Sequence, residues 1–121
     1  MADHREQLVR SCYDCYRTAD RAAIEALLAD DFTFTSPYDD RIDRATYFAR
    51  CWPAAGTFRH YEVKQVAACA DGCFALYEEM SGEGVAFRNS EYFRFAGDRI
   101  RSVEVFFGLP PGAEPRAPEQ P

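Results

Sequence analysis

The sequence predicts an α+β domain, with about three helices first and then a mostly antiparallel sheet that they cover on one face. Three observations predict it. Helical spacing of apolar residues is confined to the chain before Pro53. Period-two alternation governs the chain from Phe58 to Phe107. Asp71-Gly72, Gly82-Glu83-Gly84 and Gly97-Asp98 interrupt that alternation at hairpin spacing. A block of helices followed by a block of strands segregates into layers.

Residues 3–18 read as a helix, with Leu8, Cys12, Cys15 and Ala19 on one stripe and Val9, Tyr13 and Tyr16 beside it. Asp20 is placed to cap a second helix, whose apolar face is Ala23, Ile24, Leu27 and Leu28 and which Asp30-Asp31 closes. Phe32 to Ser36 alternates, so it is a strand with Phe32, Phe34 and Ser36 on one face. Pro37 ends it, and Tyr38 to Arg41 reads as a polar turn. Asp43 caps a third helix that buries Phe48 and Trp52, with Tyr47 and Cys51 nearby, until Pro53 and Gly56 stop it. Strands follow over 58–70, 73–81, 85–96 and 100–107, the last three forming a hairpin-linked meander. Residues 1–108 make one domain. Residues 109–121 hold five of the seven prolines and form a tail expected to be extended or unstructured.

Composition excludes several partners. The formal net charge is −6, with arginines scattered among acids, so nucleic acid and anionic membrane surfaces are not expected to bind. No apolar run is long enough to span a bilayer, and the charged N-terminus does not read as a secretory signal. Five cysteines, an odd number, fit free thiols in a reducing compartment, so the expected location is cytoplasmic. Cys12 and Cys15, with Cys69 and Cys73, could in principle hold zinc, but helix and hairpin placement favours buried Cys acting as small hydrophobes, and no metal is expected. Neither a Gly-rich phosphate loop nor an H-E-x-x-H occurs, and no cofactor is expected.

Residues 20–32, Ser36-Pro37, Glu91-Tyr92-Phe93-Arg94-Phe95 and Val103 to Gly108 resemble the nuclear transport factor 2-like superfamily. Within it they look like bacterial ketosteroid isomerases and the broader SnoaL-like branch. Phe34-Thr35-Ser36-Pro37, Asp39-Asp40, Ile42-Asp43-Arg44 and Cys51-Trp52-Pro53 resemble an uncharacterised bacterial subgroup. The resemblance implies a cone-shaped curved sheet around a pocket for a small organic molecule. It also implies a homodimer through the outer sheet face. Ketosteroid isomerases use an Asp base, and a Tyr and a protonated Asp as oxyanion donors. The corresponding positions here hold Ser36, Cys12 and Glu91. Only the last keeps its chemistry, so the resemblance does not extend to classical ketosteroid isomerisation.

Strand parity gives an independent reading. Phe74, Leu76, Glu78 and Met80 share a face, as do Phe87, Asn89, Glu91, Phe93 and Phe95, and Val103, Val105 and Phe107. These are assigned to the concave side, which leaves Ala75, Tyr77, Glu79, Tyr92, Arg94, Glu104 and Phe106 outside as a subunit interface. Two carboxyls and an amide among rings and aliphatics are what ligand pockets contain. Glu91, and with it Glu78, is then expected to titrate above an ordinary Glu. Glu91 would donate to a carbonyl or enolate oxygen, and Glu78 or Asp39 would be the base. The competing reading pairs both glutamates with arginines or leaves them in water, and makes Asp39 and Asp40 a solvated turn. Tyr16, Phe34, Ser36, Trp52, Val105 and Phe107 complete the expected ligand-binding set, although Tyr16 and Trp52 fit a plain core equally. His60 reads as structural or exposed.

Two functions remain open. One is a cofactor-free isomerase, dehydratase or cyclase acting on a small apolar carbonyl or enol compound. The other is a non-catalytic ligand-binding or dimerisation module. A cavity reaching Glu91 favours chemistry or ligand binding, and a cone plugged by Phe34, Trp52 and Phe107 a structural module.

Overall fold

Asp3 opens the chain's first helix. Its carboxylate accepts the Arg5 N–H and Glu6 reaches back to its own N–H, forming a capping box. In the computed structural model, which describes residues 3–80 and 84–113, this helix is α1 (His4–Thr18). Its core side is Val9, Cys12, Tyr13 and Cys15. Ala19 is exposed and takes the left-handed cap conformation (φ 57°), so it does not belong to the apolar stripe as expected. The stripe is turned toward Val9, Tyr13 and Tyr16.

Asp20 caps α2 (Arg21–Leu27) by accepting from Ala23 N. This helix ends earlier than its composition suggests, and Leu28 already begins β1 (Leu28–Ser36). Leu28 is fully buried beside its partner Ile100, and that pairing overrides the helical tendency of the preceding alanines. Asp30 and Asp31 sit exposed where the strand register shifts, not at a helix end. Beyond Pro37 the chain turns back as β2 (Asp39–Asp43), antiparallel to β1. This edge strand is mostly polar and carries no alternation, which is why its sequence reads as a turn. Asp43 accepts from Thr46 N to start α3 (Arg44–Arg50). Trp52 lies beyond that helix in a 3₁₀ turn (Trp52–Ala54), because Pro53 has no N–H with which to continue it.

The remaining strands are β3 (His60–Cys69), β4 (Gly72–Met80), β5 (Ala86–Ala96) and β6 (Arg99–Phe107). The sheet order is β2-β1-β6-β5-β4-β3, with β1 and β6 parallel and every other pair antiparallel. Helix α1 packs on β3 and β4, and α3 on β1, so the helices close the concave side of a curved, six-stranded mixed sheet. Of the proline-rich tail, Leu109 to Ala113 is described. It turns at Pro111-Gly112, with Ala113 N donating to Pro110 O. Residues 114–121 lie outside the described residues, as do 81–83 of the Gly82-Glu83-Gly84 turn.

One expected face is reversed. On β4, Cys73, Ala75 and Tyr77 are buried, whereas Phe74 and Leu76 are exposed. Residues opposite one another in an antiparallel pair point to the same side of the sheet. Tyr77 stands opposite Asn89, and Ala75 opposite Glu91. Tyr77 and Glu79 therefore face inward, while Phe74, Leu76, Glu78 and Met80 belong to the outer face.

Candidate functional site

Between the helices and the concave face lies a cavity of about 260 Å³. Helix α1 contributes Cys12, Tyr13 and Tyr16, three positions on one helical face. Tyr47 and Cys51 come from α3 and the residue that caps it, and Phe32 and Phe34 from β1. Strand β3 adds Tyr61, and the meander adds Tyr77, Val105 and Phe107 with three polar groups: Asn89, Glu91 and Glu79. Arg50 stands on the same wall.

Glu91 is 9 % exposed, and among the described residues no cation pairs with it. Burial in this low-dielectric setting pushes its carboxyl up to about 7. The Tyr77 hydroxyl opposes that rise, the Glu79 charge adds to it, and Tyr13 opposes it weakly. Tyr13 Oη is itself buried without a hydrogen-bond partner of ordinary geometry. Glu79 is also raised to about 7, in its case by burial alone. The cavity thus holds two carboxyls that titrate near neutrality.

A polar relay positions Glu91. Gly108 N donates to Asn89 Oδ1 (3.1 Å), and Asn89 Nδ2 donates to Tyr77 Oη (3.0 Å). Because Tyr77 Oη accepts from Asn89, its own proton is free for Glu91, whose charged form it favours. Asn89 is therefore both a wall residue and a strut held at its Oδ1 and its Nδ2. Gly108 is needed for close approach: a Cβ there would lie 2.0 Å from Arg88 O. Across the cavity the hydroxyls of Tyr16 and Tyr47 bond each other. One is the donor, so the other keeps a proton free for a ligand oxygen.

The remaining expected site residues fall elsewhere. Glu78 is on the outer face, where Arg88 Nε (3.0 Å), His60 Nε2 (3.2 Å) and Lys64 Nζ (4.0 Å) surround it. The Arg88 hydrogen bond above all pulls its pKa down, the reverse of the expected rise. Asp39 is not on the cavity wall. Ser36 Oγ donates to its Oδ2 (2.9 Å), and Arg50 Nη1 lies 2.8 Å from its Oδ1, so it anchors the β1–β2 turn to α3. Ser36 is a member of that anchor and not a wall residue, since its Oγ also accepts from Tyr38 N. Trp52 packs edge-on against Tyr16 (5.1 Å between centroids) and Phe48, outside the cavity lining. Tyr16, Phe34, Asn89, Glu91, Val105 and Phe107 are all on the wall as expected.

Sequence reasoning missed Glu79 and Tyr77, which it assigned to the outer face, and it undervalued Tyr13, Tyr47 and Tyr61. One signal could have found the first two. Five residues separate Met80 from its partner Ala86, and an odd-length connection pairs odd positions with odd ones, hence Tyr77 with Asn89. Among the described residues no three His, Cys, Asp or Glu side chains cluster as metal ligands. No helix described is long and apolar enough to cross a membrane.

A curved sheet wrapped round a helix-covered cavity is the nuclear transport factor 2-like fold. An NTF-2 like protein of unknown function from Burkholderia xenovorans superposes with a TM-score of 0.77 at 17 % identity, covering 92 % of this chain and 88 % of that one. A Kribbella flavida protein provisionally described as a ketosteroid isomerase gives 0.76 at 20 %, covering 98 % and 82 %. An LEH-like epoxide hydrolase from M. tuberculosis gives 0.70 at 16 %, covering 86 % and 82 %. At such identities the likeness establishes the fold. More particularly, the chain belongs to the SnoaL-like domain family, whose model matches residues 9–103. No curated protein matches the chain significantly.

Proposed function

We propose that this SnoaL-like domain binds a small, largely apolar carbonyl or enol compound in the cone and moves a proton on it without a cofactor, as an isomerase or lyase. The observation that carries the reading is the pair of carboxyls in one tyrosine-lined cavity, both titrating at about 7. With both carboxyls near 7, the singly protonated pair is the most populated form at neutral pH, which supplies one acid and one base together.

Glu91 is the more deeply buried, and burial is what makes it the holder of the proton offered to a ligand oxygen, while the Tyr77 O–H donates a hydrogen bond to the same carboxyl. Glu79 is ionised and less buried, and takes the place first assigned to Glu78 as base. In the isomerase case Glu79 removes a proton from the carbon beside the carbonyl. Charge moves to the oxygen, where protonated Glu91 and the free hydroxyl of the Tyr16–Tyr47 pair stabilise the enolate. Return of the proton to another carbon completes the reaction with no net change in atoms or electrons. Five free thiols fit a reducing compartment such as the cytoplasm.

The test is protein-catalysed deuterium exchange at carbons next to carbonyls, followed by NMR in D₂O over a panel of small apolar ketones. Exchange above buffer is expected, with Glu79→Gln slower by about 10²-fold or more. Equal exchange by wild type and Glu79→Gln would overturn the mechanism.

A second reading, a dimerisation module, has its own support. Phe74, Leu76 and Phe106 are about half exposed on the outer face, and Phe74 stacks on Tyr92 at 4.5 Å. A second copy covering these rings would remove them from water. Light scattering at micromolar concentration is expected to give twice the chain mass, and a monomer mass would count against it.

A further inference from the structure

A second hollow of about 250 Å³ opens beside the tyrosine-lined cavity. Its walls are Phe87, Phe107, Gly108 and Pro110, and it shares Glu79, Asn89 and Phe107 with the first. Two cavities with three wall residues in common are adjoining chambers, and Glu79 stands at their joint. The inner chamber alone falls short of the roughly 300–1,000 Å³ of ordinary ligand sites, and the two together reach it. Their chemistry differs. The inner chamber holds Glu91, the tyrosine hydroxyls and Asn89. The outer chamber, beyond the joint, is walled by two rings, a pyrrolidine and backbone.

We propose that the ligand is bipartite, with a planar oxygen-bearing head against Glu91 and an apolar tail that passes Glu79 into the chamber between Phe87, Phe107 and Pro110. The inference rests on the functional reading above and deepens it by naming the substrate class. A tail of three or four carbons, linear and uncharged, suits a chamber of that volume and lining. The arrangement also explains where Glu79 acts. The base at the joint faces the carbon that links head to tail, and Glu91 faces the oxygen.

The order of elements builds the outer chamber. Gly108 lies tight against Arg88 O, which brings the chain after β6 across the end of β5 and sets Pro110 opposite Phe87. A bulkier residue at 87 is therefore expected to fill this chamber without touching the inner one.

Isothermal titration calorimetry with phenol and its 4-methyl to 4-butyl derivatives tests the proposal, phenol serving as a stable enol mimic. In wild type the Kd is expected to fall about fourfold for each methylene added, the value for full burial of that group. In Phe87→Trp the gain is expected to stop after the first carbon. Glu91→Gln is expected to weaken every member by a similar factor, because it meets only the head. Phenols that bind wild type with no gain along the series, or a gain that persists in Phe87→Trp, would overturn the two-chamber inference and leave the functional reading standing. A full gain along the series with no effect of Glu91→Gln would overturn the functional reading while keeping the outer chamber. No binding by any member would overturn both.

Discussion

Replacing Glu91 by Gln keeps the shape of the side chain and removes its titration. The consequence for stability follows from the displaced proton equilibrium. In the unfolded chain the carboxyl ionises around its ordinary value of 4.5, and in the folded protein only at about 7. Between those values the folded state holds more protons than the unfolded one, so stability falls as pH rises across the window and levels off above it. A displacement of that size corresponds to about 3 kcal/mol at full ionisation. Glu91→Gln carries no such cost, so it is expected to be the more stable protein above pH 7 by up to about 3 kcal/mol. For a domain of this size that is about 12 °C in melting temperature. Near pH 4.5 the two proteins are expected to melt together. Glu79 pushes in the same direction and is present in both, so the difference reads Glu91 together with its repulsion by the Glu79 charge. Circular dichroism melts from pH 4.5 to 8.5 measure it. A difference that does not change with pH, or that favours wild type at pH 8, would refute the burial argument and with it the assignment of Glu91 as a near-neutral acid.

Three further outcomes follow from named contacts. Glu78→Gln is expected to leave ligand affinity and exchange activity at the wild-type level while Glu79→Gln loses activity, a one-residue contrast that reads out which β4 face is concave. Gly108→Ala puts a methyl 2.0 Å from Arg88 O. It should cost about 1–3 kcal/mol by urea denaturation and weaken phenol binding by displacing the Asn89 strut. Among the thiols, Cys69 is exposed, whereas burial raises Cys12 well above its ordinary pKa and Cys51 to about 11. Iodoacetamide at pH 8 is expected to label Cys69 first by mass spectrometry, and Cys12 and Cys51 only on unfolding.

Most of the fold is legible in the sequence because its signals are local. Asp20 and Asp43 cap helices where capping residues are expected, and hairpin turns bound the meander. What escapes is set by distant partners. Leu28 looks helical until Ile100 pairs with it, and β2 has too few apolar residues to reveal an edge strand. The β4 face is ambiguous for a further reason. Phe74 and Leu76 are as apolar as Ala75 and Tyr77, so hydrophobicity cannot choose between the faces. Pairing with β5 does, and the connection length from Met80 to Ala86 already encodes it. Glu91 and Asn89 fall on the cavity wall as expected because β5 alternates cleanly against one polar face. Asp39 was drawn into the site by its sequence position after Pro37. Nothing in that position foretells that Arg50, a strand and about two turns of helix away, would engage it.

The strand order has a bearing on how the molecule is made. β6, which leaves the ribosome after the other five strands of the sheet, is inserted between β1 and β5, near the middle. Until it emerges, the β1–β2 hairpin and the β3–β4–β5 ladder each present an unpaired edge, and no concave cavity exists for a ligand to enter. Assembly must then join Phe34 to Val103 across most of the chain, a non-local closure that is slow compared with helix formation. During that interval the open edges are exposed to neighbouring chains. A premature stop before Arg99 would leave both edges open permanently, producing a chain inclined to aggregate instead of a weakened protein.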